Sequence, residues 1–337
     1  MNVWSRAWCL SMMVWAAACA SDRAASAPIK PSVATGASPG VAAPTPSIGG
    51  PAPGSAGTSV DPPSAVSGAG GSAASPPEPG ISQPDGPKSA EPACLSGGSG
   101  GAMQDLLMQS FTDSGGLSGL YHVYASRVTP GTPIGALIYF HGDGADEFDN
   151  PGYGLDEITA QAAANHLLMV ALRTPDTATT TWWQNGDRNA TWARELIEKQ
   201  IFARYAIDRS RVLLVGYSGG SEFIAGNLVP DHSALMCGGG ALMFGGGTPP
   251  WGAGSMFARN FVSHFKMHWY SGLDDTGCSA CSCDGFNALT ASTDGSNYYK
   301  KLGFSVSLEQ PAGIDHCNIP FADVLKDQLA KGIVSPP

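Results

Sequence analysis

Hydrophobic positions are spread very unevenly along this chain. Between residues 20 and 92 large apolar side chains are scarce, and Ala, Pro, Ser, Gly and Thr fill most positions. From Cys94 onward, short continuous apolar runs alternate with longer amphipathic stretches. The runs read as strands: Leu120–Tyr124 in alternation, then Ala136–Phe140, Leu167–Leu172, Val212–Val215, Ala241–Phe244, Lys266–Tyr270 and Phe304–Leu308. Helices are predicted over Leu155–His166, Ala190–Tyr205, Ser221–Leu228 and Phe321–Lys331. The second carries an apolar stripe of Trp192, Leu196, Ile197, Ile201 and Tyr205.

Strands separated by helices of ten or more residues imply β-α-β units, hence a mostly parallel sheet covered on both faces. The 337 residues therefore divide into one folded domain, 93–337, and a long preceding segment. Residues 20–92 cannot bury enough apolar surface to offset their conformational entropy, and are expected to be a disordered, semi-extended tether. Ahead of it, Arg6 and the apolar run Ala7–Ala20, broken by Ser11, read as a signal peptide over residues 1–19. Cys19 directly follows Ala16-Ala17-Ala18 and resembles the lipidated cysteine of a bacterial lipobox, although Ala16 stands where leucine is preferred. The chain is thus expected to be exported, either as an outer-membrane or cell-surface lipoprotein attached to a membrane through Cys19, or as a secreted protein.

In parallel sheets of this kind, chemistry collects at the carboxyl ends of the strands. His141-Gly142-Asp143-Gly144 follows the strand ending at Phe140, and Gly216-Tyr217-Ser218-Gly219-Gly220 follows Val215. Gly272 to Asp275 follows Tyr270, and a segment ending in His316 follows Leu308. A G-x-S-x-G pentapeptide between a strand and a helix holds its serine on a sharp turn, with the next amide at a helix N-terminus. Nucleophile, acid and imidazole appear in the order Ser, Asp, His, each after its own strand.

On these motifs the region from about Leu117 to Leu329 resembles the α/β-hydrolase superfamily. The run Leu-Ile-Tyr-Phe-His-Gly and the helix ending at Tyr205 through Arg211 are similar to exported esterases of the polyhydroxybutyrate depolymerase and feruloyl esterase type. The resemblance implies an α/β fold with a mostly parallel central sheet, helices on both faces and no large lid. It implies a serine carboxylic-ester hydrolase with Ser218 as nucleophile and His316 as general base. Asp275 is the favoured acid by its G-x-x-D spacing, with Asp274 one residue away as the alternative. The backbone amides of Gly219 and Asp143 are expected to form the oxyanion hole, with Gly144 in reserve, and the carboxylate of Asp143 must turn away from it or take back part of the benefit. His122, His141, His166, His232, His264 and His268 are read as structural, His141 as a brace for the oxyanion loop.

Composition narrows the partners. A net charge of −10 with no basic stripe excludes nucleic acid. The expected partner is a small-molecule or polymeric ester, extracellular polyester or polysaccharide-linked, met by a monomer. No cofactor or metal is required. Gly238–Gly240 and Gly245–Gly247 lack the Lys-Ser/Thr of a phosphate loop. Trp182, Trp183 and Trp251 lie in loops, either packed there or edging the cleft. Cys94, Cys237, Cys278, Cys281, Cys283 and Cys317 read as disulfide partners in an exported protein, with the pairing open. The cluster at 278–283 is also compatible with three zinc ligands. A peptidase or thioesterase, or a non-catalytic tethered surface-binding module, are the other readings of this pattern.

Overall fold

The computed structural model describes residues 94–130, 133–250, 256–277 and 285–337. The expected leader and tether, with Cys19, lie outside these residues, as do Trp251, Cys278, Cys281 and Cys283. Strands β1 (Leu106–Thr112), β2 (Ser118–Tyr124), β3 (Ile134–Phe140), β4 (Leu167–Leu172), β5 (Ile207–Tyr217), β6 (Gly239–Phe244), β7 (Phe265–Tyr270) and β8 (Ser305–Glu309) form a single sheet. Its order is β1-β2-β4-β3-β5-β6-β7-β8. Strand β2 is antiparallel to both neighbours, and all other pairings are parallel. The helices are α1 (Asp146–Asp149), α2 (Leu155–Ala164), α3 (Gly186–Leu196), α4 (Gly219–Phe223), α5 (Val229–His232), α6 (Arg259–His264), α7 (Ala288–Lys301) and α8 (Phe321–Ala330). Wider π-type turns, Ile197–Phe202 and Ile224–Leu228, continue α3 and α4. Strand order, strand direction and the crossing helices together make this an α/β-hydrolase fold.

The continuous apolar runs are explained by burial on both faces. Every residue of β3, β4 and β6 is buried, which a parallel sheet sandwiched by helices requires. Side chains alternate between two cores. Ala136, Ile138 and Phe140 join Leu168, Val170, Leu172, Val212 and Leu214 beneath α3 and the helices that follow Ser218. Leu137, Tyr139, Leu167, Met169, Leu213 and Val215 face the other way, against Leu155 and Ile158 of α2 and Leu325 of α8. Register keeps the strand ends level, pairing Phe140 with Gly216 and Tyr217 with Phe244. The segments that follow them therefore share one rim.

Five elements are absent from the sequence-based reading: β1, α1, α5, α6 and α7. The last is the most instructive. Its sequence, ALTASTDGSNYYKK, is poor in strong helix formers. The helix is instead held by tertiary packing of a face of small residues, Ala288, Ala291, Ser292 and Gly295, with Tyr299 below them. Its first turn is capped by Asn287, whose Oδ1 accepts the Thr290 amide (2.9 Å). A Cβ at Gly295 would collide with the carbonyl of Gly247, in the loop after β6. Gly295→Ala gains about 1 kcal/mol of helix propensity, but overpacking against rigid backbone costs roughly 1–3 kcal/mol. We expect a net loss of stability, read as a lower urea midpoint at unchanged slope; a midpoint at or above wild type would contradict this packing.

A second consequence concerns pH. His268 in β7 is 1% exposed, and its Nδ1 pairs with Ser307 Oγ at 2.7 Å. Burial pulls its imidazole from 6.5 down to about 4, outweighing Glu309, 4.0 Å from Nε2, which pulls the other way. The unfolded chain therefore takes up this proton first. The corresponding stability is complete above pH 6.5 and lost as pH falls toward about 4. The difference in unfolding free energy between wild type and His268→Gln should shrink by about 3 kcal/mol across that window. Urea titrations at stepped pH measure it, and a pH-independent difference would refute the assignment.

Candidate active site

The turn from β5 into α4 sets the geometry. Ser218 has φ 49° and ψ −118°, a left-handed conformation rare for a residue with a side chain. It is tolerated because the surroundings determine it. The Ser218 amide donates to the Phe244 carbonyl (2.8 Å), and the Ser218 carbonyl accepts the amides of Ser221 (2.8 Å) and Glu222 (3.1 Å). A Cβ at Gly216 would lie 2.7 Å from the backbone of Gly220, and one at Gly220 would collide with the Phe140 carbonyl. The two motif glycines are thus required by close approach of strand, helix and neighbouring strand.

His316, in the loop after β8, has its Nε2 2.8 Å from Ser218 Oγ. Its Nδ1 lies 2.9 and 3.1 Å from the two carboxylate oxygens of Asp275. A carboxylate only accepts, so Nδ1 carries the hydrogen and Nε2 is left to accept from the Ser218 hydroxyl. Asp275 is 2% exposed. Asp274, the alternative, is exposed and contributes its amide to the Ile314 carbonyl at 3.1 Å. The structure brings Asp275, and not Asp274, to the imidazole. Gly272 makes this possible, since a Cβ there would collide with Ile314 backbone and hold the two loops apart.

Three flanking groups hold His316. The Tyr217 hydroxyl donates to its carbonyl (2.8 Å), and the two rings pack 5.1 Å apart. Gly245, with φ 56°, presents bare backbone to the imidazole, where a Cβ would sit 3.0 Å from both Cε1 and Nδ1. Phe286 meets the ring edge-on at 6.1 Å. Cys317, the next residue, is disulfide-bonded.

The expected oxyanion loop is held by His141 and by the Thr180 carbonyl. His141 is fully buried, accepting the Thr174 amide at Nε2 (2.9 Å) and donating from Nδ1 to the Gly142 carbonyl (2.6 Å). Burial pulls its pKa down to about 4, so it stays neutral as a brace. The Gly144 amide is occupied by the Thr180 carbonyl (3.1 Å), which removes it as a reserve donor. The Asp143 carboxylate does not turn away from the Ser218 turn, which is the second of the two outcomes expected of it. It lies against Gly219, where an added Cβ would collide with Oδ1, and its Oδ2 accepts the Trp183 indole N–H (3.0 Å). The indole donor draws it toward the elbow. Trp183 is therefore at the cleft, whereas Trp182 is fully buried and stacked on Phe223 at 4.9 Å.

Two carboxylates here, Glu147 half-buried and Glu222 buried, have no counterpart in the sequence reading. Glu147 Oε2 accepts the Gly142 amide (3.1 Å). Glu222, one turn after Ser218, accepts the amides of Gly247 (2.7 Å) and Thr248 (3.2 Å) and the Thr248 hydroxyl (2.6 Å). Burial pushes both carboxyls up, partly opposed by these donors. Glu222 ties the helix after Ser218 to the loop behind the imidazole. The signal available in the sequence was a glutamate at a position whose helical neighbours are all apolar or small. Among the described residues no cluster of His, Cys, Asp and Glu could hold a metal ion.

No family model matches this sequence, and neither does any characterised protein sequence compared with it. Solved structures similar to it include LpqC, a poly(3-hydroxybutyrate) depolymerase from Bordetella parapertussis, at 17% identity and a TM-score of 0.49, covering 70% of this chain and 92% of that one. A Bacillus cereus carboxylesterase is similar at 15% identity and 0.45, covering 59% and 88%. A Pyrobaculum calidifontis esterase is similar at 12% and 0.47, covering 68% and 84%. At such identities and scores these likenesses do not bear on the substrate.

Glu222→Ala would leave three donors without their acceptor, and each unsatisfied buried group costs about 1–3 kcal/mol. We expect a destabilisation of about 2–4 kcal/mol, with Glu222→Gln losing less because its carbonyl oxygen keeps part of the set. Chemical denaturation of both variants checks this, and two equal, small losses would show that the carboxylate does not hold the loop.

Proposed function

We propose that this protein is a serine hydrolase that cleaves carboxylic esters through an acyl-enzyme on Ser218. The observation that carries the reading is the continuous contact from Ser218 Oγ to His316 Nε2 (2.8 Å) and from Nδ1 to Asp275 (2.9 Å). A serine hydroxyl is a weak nucleophile alone, and a base within hydrogen-bond reach is what activates it. As Oγ attacks the ester carbonyl, Nε2 takes its proton. Asp275 keeps the proton on Nδ1, orients the ring and stabilises the imidazolium. The imidazolium then protonates the departing alcohol, and water enters by the same route in reverse.

The developing oxyanion is assigned to the backbone amides of Gly219 and Asp143. Gly219 begins a helix, and Asp143 sits on a loop braced by His141 and by Glu147 through Gly142. The Asp143 carboxylate beside this position is partly offset by the Trp183 N–H. Trp183 and Phe286 border the site and suit an acyl or alcohol part with an apolar face. We extend the reading to extracellular polyester or polysaccharide-linked esters, delivered by export and by the 20–92 tether, with Cys19 as the lipid attachment point.

Purified full-length protein should turn over p-nitrophenyl acetate and butyrate with a burst, and an organophosphonate should label Ser218. Ser218→Ala should lose about 10⁴-fold or more in kcat, Asp275→Asn about 10³–10⁴-fold, and Asp274→Asn less than about twofold. A Ser218→Ala variant with wild-type turnover, or a wild type with no turnover of any ester, would defeat the proposal. Faster cleavage of matched amides or thioesters would redirect it to a peptidase or thioesterase. A panel of feruloyl, acetyl-sugar and hydroxybutyrate esters then sorts the substrate.

A further inference from the structure

The folded region begins as a strap along the edge of β5. The Ser96 amide donates to the Ile207 carbonyl (2.8 Å), its hydroxyl to the Tyr205 carbonyl (2.5 Å), and Leu95 bridges Asp208. Cys94 and Leu95 at its start are exposed. Fraying ends of this kind are the least stable parts of a fold.

At the start of the strap, one residue brings two cysteines together. The Arg209 amide donates to the Cys94 carbonyl (2.6 Å), and the Arg209 carbonyl accepts the Cys237 amide (3.1 Å). The amide and carbonyl of one extended residue point to the same side of its strand, so the cysteines approach from that side. Their side chains meet as a hydrogen-bonded pair. The Arg209 guanidinium secures the second segment by donating from Nε to the Leu235 carbonyl (2.8 Å). The cysteines lie beside the start of β5 and before β6, away from the strand ends that carry Ser218 and His316.

We propose that Cys94 and Cys237 form a disulfide in the mature protein, fastening the strap to the segment before β6. The oxidant is a reactive disulfide, such as oxidised glutathione or a thiol-disulfide exchange protein. The exposed Cys94 thiolate attacks one oxidant sulfur, breaking its S–S bond and releasing one thiolate. The Cys237 thiolate then attacks Cys94 Sγ, displacing the second half of the oxidant. Two electrons and the two cysteine protons leave, and the oxidant ends as two thiols. Burial and contact with Cys94 push the Cys237 thiol up to about 12, so the second step accelerates with rising pH.

A bond here closes a loop that contains β1 to β5, α1 to α5 and the Ser218 turn. It would keep tension or proteolytic access at the preceding segment from peeling the strap away. The bond does not depend on the hydrolase reading, since it can be present or absent whether or not esters are cleaved.

The test takes the full chain, incubated folded with oxidised glutathione, blocked with N-ethylmaleimide and digested without reductant for peptide mass analysis. The expected result is a Cys94–Cys237 linked pair that dithiothreitol resolves, formed faster at pH 9 than at pH 7. Maleimide on both residues, or Cys94 linked to a different cysteine, would overturn the proposal. Oxidised Cys94→Ser should melt about 5–10 °C below oxidised wild type. Equal midpoints would overturn the fastening role.

Discussion

Close backbone approach at the end of β5 is the constraint from which the rest of the structure follows. Strand β5 turns into α4 with no room for a side chain at Gly216 or Gly220, because β3 and α4 occupy that space. The turn forces Ser218 into a left-handed conformation that costs on the order of 1–3 kcal/mol. That cost is borne by a network of backbone bonds to Phe244, Ser221 and Glu222. A relaxed turn would let Ser218 rotate away and would move the Gly219 amide. Strain and the placement of the hydroxyl are thus one feature.

The rim is also organised by carboxylates that do not contact Ser218. Asp275, Glu147 and Glu222 are each held in place by donors, and each holds a different piece of backbone or ring. Asp275 orients the imidazole, Glu147 pins Gly142 at the end of β3, and Glu222 pins the loop behind His316. Buried carboxylates are costly without partners, so these acids and their donors keep one another in register. Asp143 differs because it is exposed and meets the Trp183 indole, leaving negative charge at the mouth of the site. A chain of net charge −10 thus concentrates acids around the Ser218 turn, where hydrogen-bond donors offset them.

Periodicity made the inner strands legible. The runs Ala136–Phe140, Leu167–Leu172 and Ala241–Phe244 lie within or match β3, β4 and β6, because a strand buried on both faces must be continuously apolar. Edge and packing-dependent elements were not legible. Strand β1 is half exposed and interrupted by Met108 at φ 52°, so it lacks clean alternation. Helix α7 carries Ser, Thr, Gly and Asn through its middle, and its stability comes from the surface it fits rather than from its own propensity.

The sequence by itself determined the alternating strand and helix order, the glycines of the Ser218 turn, and which strand ends carry a hydroxyl, an acid and an imidazole. These are local properties, written in residue type and spacing. Only the tertiary structure decided between Asp274 and Asp275, turned the Asp143 carboxylate onto Gly219, consumed the Gly144 amide and brought Glu222 beneath the loop at Gly247. Each depends on the distance between segments far apart in the chain. A one-residue change of direction in a loop alters such distances without altering any local pattern.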